Sequence, residues 1–493
     1  MIMITILLPV ILGIVLLLLP EQKNRKTLCT YMAVALILTF AATGITLFTA
    51  GKEPVMVFNL TKTLPILFKI DEVGMLFSVI TGIVWLAAGI FSFSYMSHEQ
   101  NEKRYYGFYL IVYGILLGLD FSGNLITFYA FYELMTLMSL PFVLHTGTKE
   151  AILAGLKYLL FSFAGAYMAL FGLYFLNRYA NTLSFTAGGV LDMTLVSGKE
   201  GLLLTAAFLM LVGFGVKAGM FPMHVWLPTA HPVAPAPASA ALSGIIVKAG
   251  VLGVIRTVYY LFGTEFLRGT WVQKAWLVLI LLTVLLGSMM AYREKVLKKR
   301  LAYSTVSQVS YILFGLAMMT SDSFTGALLH TTAHAFMKCG LFLIAGAIIF
   351  KTGKTRVDEL RGIGKKMPVT LFCFTILSLS MIGIPPFAGF VSKWYLGMGS
   401  MEAAMPVFSV LGPAILLISA LLTAGYLLPI SINGFLPGAD FDTASVKKDE
   451  APGFMRGAVI VLTLLVVLTG MFPGQLLAFL KQLGEIIFKE AGL

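Results

Sequence analysis

Hydrophobic runs of about twenty residues follow one another from Met1 to the region of residue 480, parted only by short polar or Gly/Pro stretches. A helix needs about 20 apolar residues to cross the hydrocarbon core, and it satisfies its backbone donors and acceptors internally. Such a pattern therefore folds as a bundle of membrane helices. Of the 493 residues, 58% are hydrophobic and 12% charged, against about 45–50% and about 25% in soluble domains. The excess continues along the whole length, which excludes a soluble domain carried on an anchor.

Apolar runs lie near 2–19, 28–50, 72–96, 105–120, 124–145, 150–177, 201–230, 235–262, 271–292, 300–319, 322–350, 366–400, 404–433 and 453–480. The expected fold class is an all-α polytopic membrane protein of about fourteen transmembrane helices. The first run, Met1 to Pro20, has no basic n-region and no small-residue cleavage site; it reads as a first membrane helix, a pattern an uncleaved signal shares.

The three cysteines, Cys29, Cys339 and Cys373, are scattered without metal-ligand spacing, which argues against a disulfide scaffold or an iron–sulfur site. No nucleotide-binding glycine loop is present, so no cofactor and no metal is expected on this chain. The formal charge of +12 reports loop topology in a membrane protein, and nucleic acid is not an expected partner.

Sorted by loop, twenty of the 35 Lys and Arg fall on one side of the membrane, among them Lys23, Arg25, Lys103, Arg104, Lys298, Arg300 and Lys351. Nine fall on the other: Lys52, Lys62, Lys69, Arg178, Lys199, Arg268, Lys274, Lys481 and Lys489. The bias puts the first side in the cytoplasm and both termini outside.

Six basic side chains remain inside the apolar runs: Lys157, Lys217, Lys248, Arg256, Lys338 and Lys393. Placing a lysine or arginine at the centre of a bilayer costs about 2.5–3.5 kcal/mol on insertion scales, and ionisable groups held there usually serve ion or proton movement. One acid, Glu133, joins them well inside its helix. Burial favours a neutral lysine and a nearby carboxylate favours a charged one. Moving Glu133 towards or away from Lys217 would thus switch the lysine between holding and releasing a proton, provided the two are close; the same pair read structurally only ties helices together.

Two runs are interrupted, 201–230 by Gly213, Gly215, Gly219, Pro222 and Pro228, and 366–400 by Gly383, Pro385, Pro386 and Gly389. Proline removes a backbone donor and clashes with the preceding turn, so each helix should break there, beside Lys217 and Lys393. Breaks at matching places in two halves are a sign of inverted repeats around a transport path. The expected organisation is an N-terminal three-helix segment (1–100), two five-helix repeats (105–262 and 271–433) and a C-terminal helix (453–493). Common Gly and Pro usage in membrane helices is the bland alternative.

Lys248 lies near mid-bilayer, among Ser243, Gly244 and Gly250, whose small size is expected to leave room for water. His330, His334 and Lys338 share one helix face by their i, i+4, i+8 spacing. Two such histidines suit zinc, but no third ligand is spaced for it; a proton-relay stripe and plain buried histidines are the other readings. Lys157 is near enough to a helix start to snorkel, and Arg256 reads as structural.

Several stretches resemble the antiporter-like membrane subunits of the complex I superfamily. They are Phe131-Tyr132-Glu133-Leu134, Val216-Lys217-Ala218-Gly219 leading to Pro222-Met223-His224-Val225-Trp226-Leu227-Pro228, and Leu242-Ser243-Gly244 with Lys248. Tyr303-Ser304-Thr305-Val306-Ser307-Gln308, then His330, His334 and Lys338, then Pro385-Pro386-Phe387-Ala388-Gly389-Phe390 with Lys393 continue the likeness in order. It covers about 105–400. The resemblance implies fourteen helices with two inverted repeats, Glu133 with Lys217 as a paired switch, Lys248 as central relay and Lys393 as terminal proton site. The segment 227–237 looks most like subunits of membrane-bound hydrogenase and hydrogenase-4-type complexes and the D-type Mrp antiporter subunit.

The resulting expectation is a proton-translocating subunit of a redox-driven, multi-subunit pump in the cell membrane. Its partners would be other antiporter-like and connecting membrane subunits and, indirectly, a peripheral redox arm. A subunit of a Na+/H+ antiporter without redox partner is the second reading, and a non-conducting scaffold the third.

Overall fold

Proline and glycine placement decides where the helices of this computed structural model stop and restart. The structure describes all residues except 22–23, 50, 52, 62–63, 443–445 and 491–493; Lys23, Lys52 and Lys62, counted above among the loop charges, lie outside the described residues. Helices fill every apolar run. Among the described residues, 11 helices are long and apolar enough to cross a membrane, and Ile2–Leu18 and Pro368–Ile382 are shorter apolar ones. The chain is an all-α polytopic membrane protein.

Both interrupted runs break where their prolines require it. Glu200–Lys217 ends at Lys217 and helix resumes at Trp226–Val233. Pro368–Ile382 ends at Gly383 and resumes at Ala388–Glu402. Backbone groups freed inside a bilayer need partners, and the indole Nε1 of Trp226 donates to Val216 O at 2.8 Å across the first break.

Two features differ from expectation. Residues between the helices Arg25–Thr49 and Glu72–Tyr95 form an antiparallel pair of strands, Val55–Thr61 with Leu64–Phe68. Its inner strand is held by Leu67 N donating to Thr127 Oγ1 (2.8 Å) and Asn124 Nδ2 donating to Pro65 O (2.8 Å). The segment expected as one C-terminal helix is two, Gly453–Met471 and Gly474–Glu490, because Pro473 cannot supply the donor that would continue the first.

The most buried spans, Ala236–Phe262, Leu297–Met318 and Ser321–Thr352, carry Lys248, Arg256, His330, His334 and Lys338, whereas peripheral Pro406–Phe435 carries no charged residue. Lipid accepts an apolar surface, so polar groups collect at the centre of the bundle, where they find partners. Gly250 permits that centre to form. A Cβ there would stand 2.5 Å from Phe214 O and 2.7 Å from Ala218 N, so only glycine lets Ala236–Phe262 approach the Lys217 break.

Candidate functional site

Lys217 is the last residue of its half-helix and is fully buried. Its Nζ donates to Ser162 Oγ at 2.9 Å and to Tyr158 OH at 3.0 Å, and lies 4.3 Å from the Tyr158 ring centroid. Tyr158 OH in turn sits 2.7 Å from Ser139 Oγ. Glu133 interacts electrostatically with Lys217, but its Oε1 is buried without a hydrogen-bond partner. Among the described residues no hydrogen bond or ion pair joins the two: hydroxyls, and not the carboxylate, hold the amine.

Lys248 occupies the centre. A π-helical turn at Leu242–Ile246 misaligns the local backbone ladder, and Lys248 Nζ donates to Ser243 O at 2.7 Å. The same Nζ lies 2.7 Å from His334 Nδ1. Two bases at that distance share one proton: a charged lysine requires the Nδ1 lone pair, hence a neutral imidazole with its hydrogen on Nε2. The neighbouring glycines bring helices together instead of leaving room for water; a Cβ on Gly244 would meet Val84 Cγ1 at 2.9 Å.

From His334 the row continues along Ser321–Thr352. The rings of His330 and His334 are 5.9 Å apart, His330 Nδ1 is 2.9 Å from Ser392 Oγ, and both Nε2 atoms are buried without a protein partner. Buried polar atoms of that kind are usually satisfied by ordered water. Lys338, third in the stripe, donates to Leu301 O at 3.1 Å.

Lys393 ends the row. Its Nζ donates to Met381 O (2.7 Å) and Ile382 O (2.9 Å), the last carbonyls of the preceding half-helix, and lies 4.9 Å from the Tyr311 ring centroid. Those carbonyls have no helical partner beyond the break and form the negative end of a helix dipole. Gly383 makes the turn possible at φ +98°, with Lys393 Cδ 2.9 Å from where a Cβ would be. A cavity of about 440 Å³, lined by Lys393, Tyr311, Trp394, Met398 and Leu417 among others, opens beside the amine.

Of the six intramembrane cations, Lys157 does not join the row; it is exposed on the outside of the bundle. Arg256 forms a bidentate ion pair with Asp71, with NH2 to Oδ1 at 2.8 Å, and its guanidinium lies over Phe185 and Tyr260. Conversely, Lys298 and Arg300, assigned above to a loop, are buried, as is His231. Tyr158 and Ser162 carry no charge to mark them within their apolar run, although they lie in a stripe of small buried residues, Ala151, Ala154, Gly155, Gly165 and Ala166, whose helical spacing marks the inward face. Among the described residues no group of three His, Cys, Asp or Glu is gathered as metal ligands.

Fold and site define a polytopic membrane subunit with a buried file of titratable groups. A family profile described as NADH:quinone oxidoreductase/Mrp antiporter, TM, matches residues 122–422, and one described as NADH-ubiquinone oxidoreductase (complex I), chain 5 N-terminus, matches 59–106. The N subunit of the NADH-quinone oxidoreductase of Desulforudis audaxviator is 33% identical over 419 residues, 82% of this chain and 81% of the relative. The D-type component of the Na(+)/H(+) antiporter of Bacillus subtilis is 28% identical over 487 residues, 98% and 96% of the two chains. The fold matches a chain of the membrane-bound sulfane sulfur reductase, an archaeal respiratory membrane complex, at TM-score 0.85 and 21% identity over 100% of this chain and 99% of that one. The protein belongs to the NADH:quinone oxidoreductase/Mrp antiporter family and is an antiporter-like membrane subunit of that family.

Proposed function

We propose that this subunit moves protons within a multi-subunit, redox-driven complex of the cell membrane, its basic loops in the cytoplasm and both termini outside, with the electron chemistry in partner subunits. Glu133 and Lys217 act as the switch. Lys248, His334, His330 and Lys338 form the relay, and Lys393 exchanges protons at the far end. The observation that carries this reading is the 2.7 Å contact between Lys248 Nζ and His334 Nδ1: two fully buried bases sharing one proton suit transfer better than support. Neighbouring subunits are supported by the exposed apolar strand Val55–Thr61, with Met56, Phe58 and Leu60 all more than half exposed, a surface that monomers seldom leave uncovered.

The near full-length likeness to a Na(+)/H(+) antiporter component favours a second reading, exchange of Na+ against protons without a redox partner. Purifying the assembly separates the two, since redox subunits copurify only under the first. Proton movement in vesicles carrying assembled Lys248→Ala or Lys217→Ala complexes tests transport itself. Coupled pumping at the parental rate in both would leave only a scaffold.

A further inference from the structure

The face that carries the basic loops holds a cavity of about 670 Å³, away from the buried row. It sits where three long spans end or begin: Trp271–Arg293, Leu297–Met318 and Pro406–Phe435. The ends of such spans lie at the level of the lipid head groups. The cavity wall holds three cations, Lys295, Arg300 and Arg361, and one carboxylate, Asp358.

The carboxylates at this spot are taken by other partners. Asp358, which also feels Lys295, accepts from Arg356 Nε and NH2, both at 3.1 Å. Asp440 pairs with Arg361, and Glu294, which interacts electrostatically with Arg300, pairs with Lys299 at 2.9 Å. Lys295 and Arg300 are left without an ion pair among the described residues. Arg300 is the more telling of the two, because it is only 8% exposed. Its Nε donates to Glu294 O at 2.7 Å and its NH1 to Tyr426 O at 2.8 Å, whereas its NH2 donates to nothing among the described residues. Two carbonyls satisfy part of the guanidinium fork, but they leave its charge in place, and a buried charge is normally paired. Tying two helix ends together explains an arginine here. It does not explain the exposed Lys295, whose Nζ makes no hydrogen bond among the described residues.

On the membrane side of the cavity the surface turns apolar. Leu436, in the wall itself, is 73% exposed. Ile432, one turn further into the membrane, is exposed too, as are Met289 and Tyr292 at the end of Trp271–Arg293. Tyr292 lies against Pro406–Phe435, since a Cβ on Gly425 would stand 2.9 Å from its Cε2. Cations that lead into exposed hydrocarbon suit a ligand with phosphate at one end and acyl chains at the other. A soluble anion has no use for the second half of this surface.

We infer that the cavity is a binding site for an anionic phospholipid. Its phosphodiester takes charge-assisted hydrogen bonds from Arg300 NH2 and Lys295 Nζ, and its acyl chains cover Ile432, Tyr292 and Met289. Basic pockets between membrane helices on the cytoplasmic side suit such head groups. A zwitterionic lipid brings its own cation, which meets two uncompensated positive charges, so the site selects net negative lipids. The bound lipid clips the ends of three helices together and stands apart from the proton row, so the site holds whether or not that row conducts.

The test uses the purified, assembled complex and a phosphatidylglycerol with a diazirine near the head-group end of one acyl chain, the labelled peptides being mapped by mass spectrometry. Labelling around Tyr292 and residues 432–436, removed by unlabelled phosphatidylglycerol and not by phosphatidylcholine, is the expected result. Lys295→Glu and Arg300→Gln should each weaken it at least about fivefold, the factor one basic residue contributes at an anionic surface. Lys149→Glu, at an exposed cation elsewhere on the same face, should leave it unchanged. Equal labelling by a phosphatidylcholine probe, parental labelling in Lys295→Glu, or an equal loss in Lys149→Glu overturns the site. Removal of the label by glycerol phosphate assigns the cavity to a soluble anion and overturns the lipid. Absence of label at these peptides in the assembled complex means that protein covers them, and overturns it as well. If Arg300→Gln fails to assemble, Lys295→Glu decides.

Discussion

Lys248 and His334, 86 residues apart in the chain, meet nitrogen to nitrogen at 2.7 Å in the most deeply buried part of the bundle. Groups that act as one unit give strongly non-additive losses when removed. Lys248→Ala and His334→Ala should therefore each abolish most coupled proton movement, and the double variant should be no slower than the worse single one. Multiplying losses in a double-mutant cycle, measured in vesicles, would show that the two act separately.

Hydroxyls hold Lys217, and this leads to a second expectation. Hydrogen bonds to a charged group contribute about 1.5–3 kcal/mol, so Tyr158→Phe and Ser162→Ala each remove one stabilising contact from the ammonium form while leaving the Trp226 side of the pocket in place. Each variant should assemble normally and lower the rate of coupled proton movement about tenfold, roughly the kinetic equivalent of 1.4 kcal/mol. Unchanged rates in both, together with loss of pumping in Glu133→Gln, would mean that Glu133, and not the hydroxyl pair, controls the amine.

Much of this arrangement is legible without coordinates. The two helix breaks follow from Pro222 and from Pro385-Pro386, because proline's missing donor acts locally and needs no tertiary context. The stripe His330, His334, Lys338 is legible for the same reason, as helical spacing fixes which residues share a face. What stays hidden depends on distant partners. Whether a charge at a helix end is a loop charge or a buried one cannot be read from its position alone: Lys298 and Lys299 are adjacent, yet the first is 6% exposed and the second reaches Glu294 at the surface, 2.9 Å away. The strand pair Val55–Thr61 with Leu64–Phe68 is hidden because its outer strand is exposed at every position and opens on the unbroken apolar run Val55-Met56-Val57-Phe58, without the alternation that identifies a half-buried strand.

Lys157 makes a useful contrast. It lies inside an apolar run as Lys217 does, but its side chain is exposed on the bundle surface, where a long stem lets the amine reach the interface. Lys157→Gln should leave coupled proton movement within about twofold of parental, the usual range for an exposed position. A loss comparable to that of Lys217→Ala would place a proton route or a subunit contact on the outer face of Lys149–Tyr179.

Arg256 and Asp71 tie the Ala236–Phe262 helix to the start of the Glu72–Tyr95 helix, where Asp71 also accepts from Gly74 N at 2.8 Å as the helix cap. One side of the pair is almost fully enclosed, with Arg256 at 1% and Asp71 at 15% side-chain exposure. Removing one member of a buried pair leaves an uncompensated charge and costs about 3–5 kcal/mol, whereas replacing both by apolar groups is often neutral. Asp71→Asn should accordingly lower the thermal stability of the complex in detergent while the fraction that stays assembled pumps normally. Asp71→Leu with Arg256→Met should recover much of the loss, short of the cap that leucine cannot supply, worth about 1 kcal/mol. The opposite pattern, parental melting with defective pumping in Asp71→Asn, would remove the pair from the scaffold and add it to the transport path.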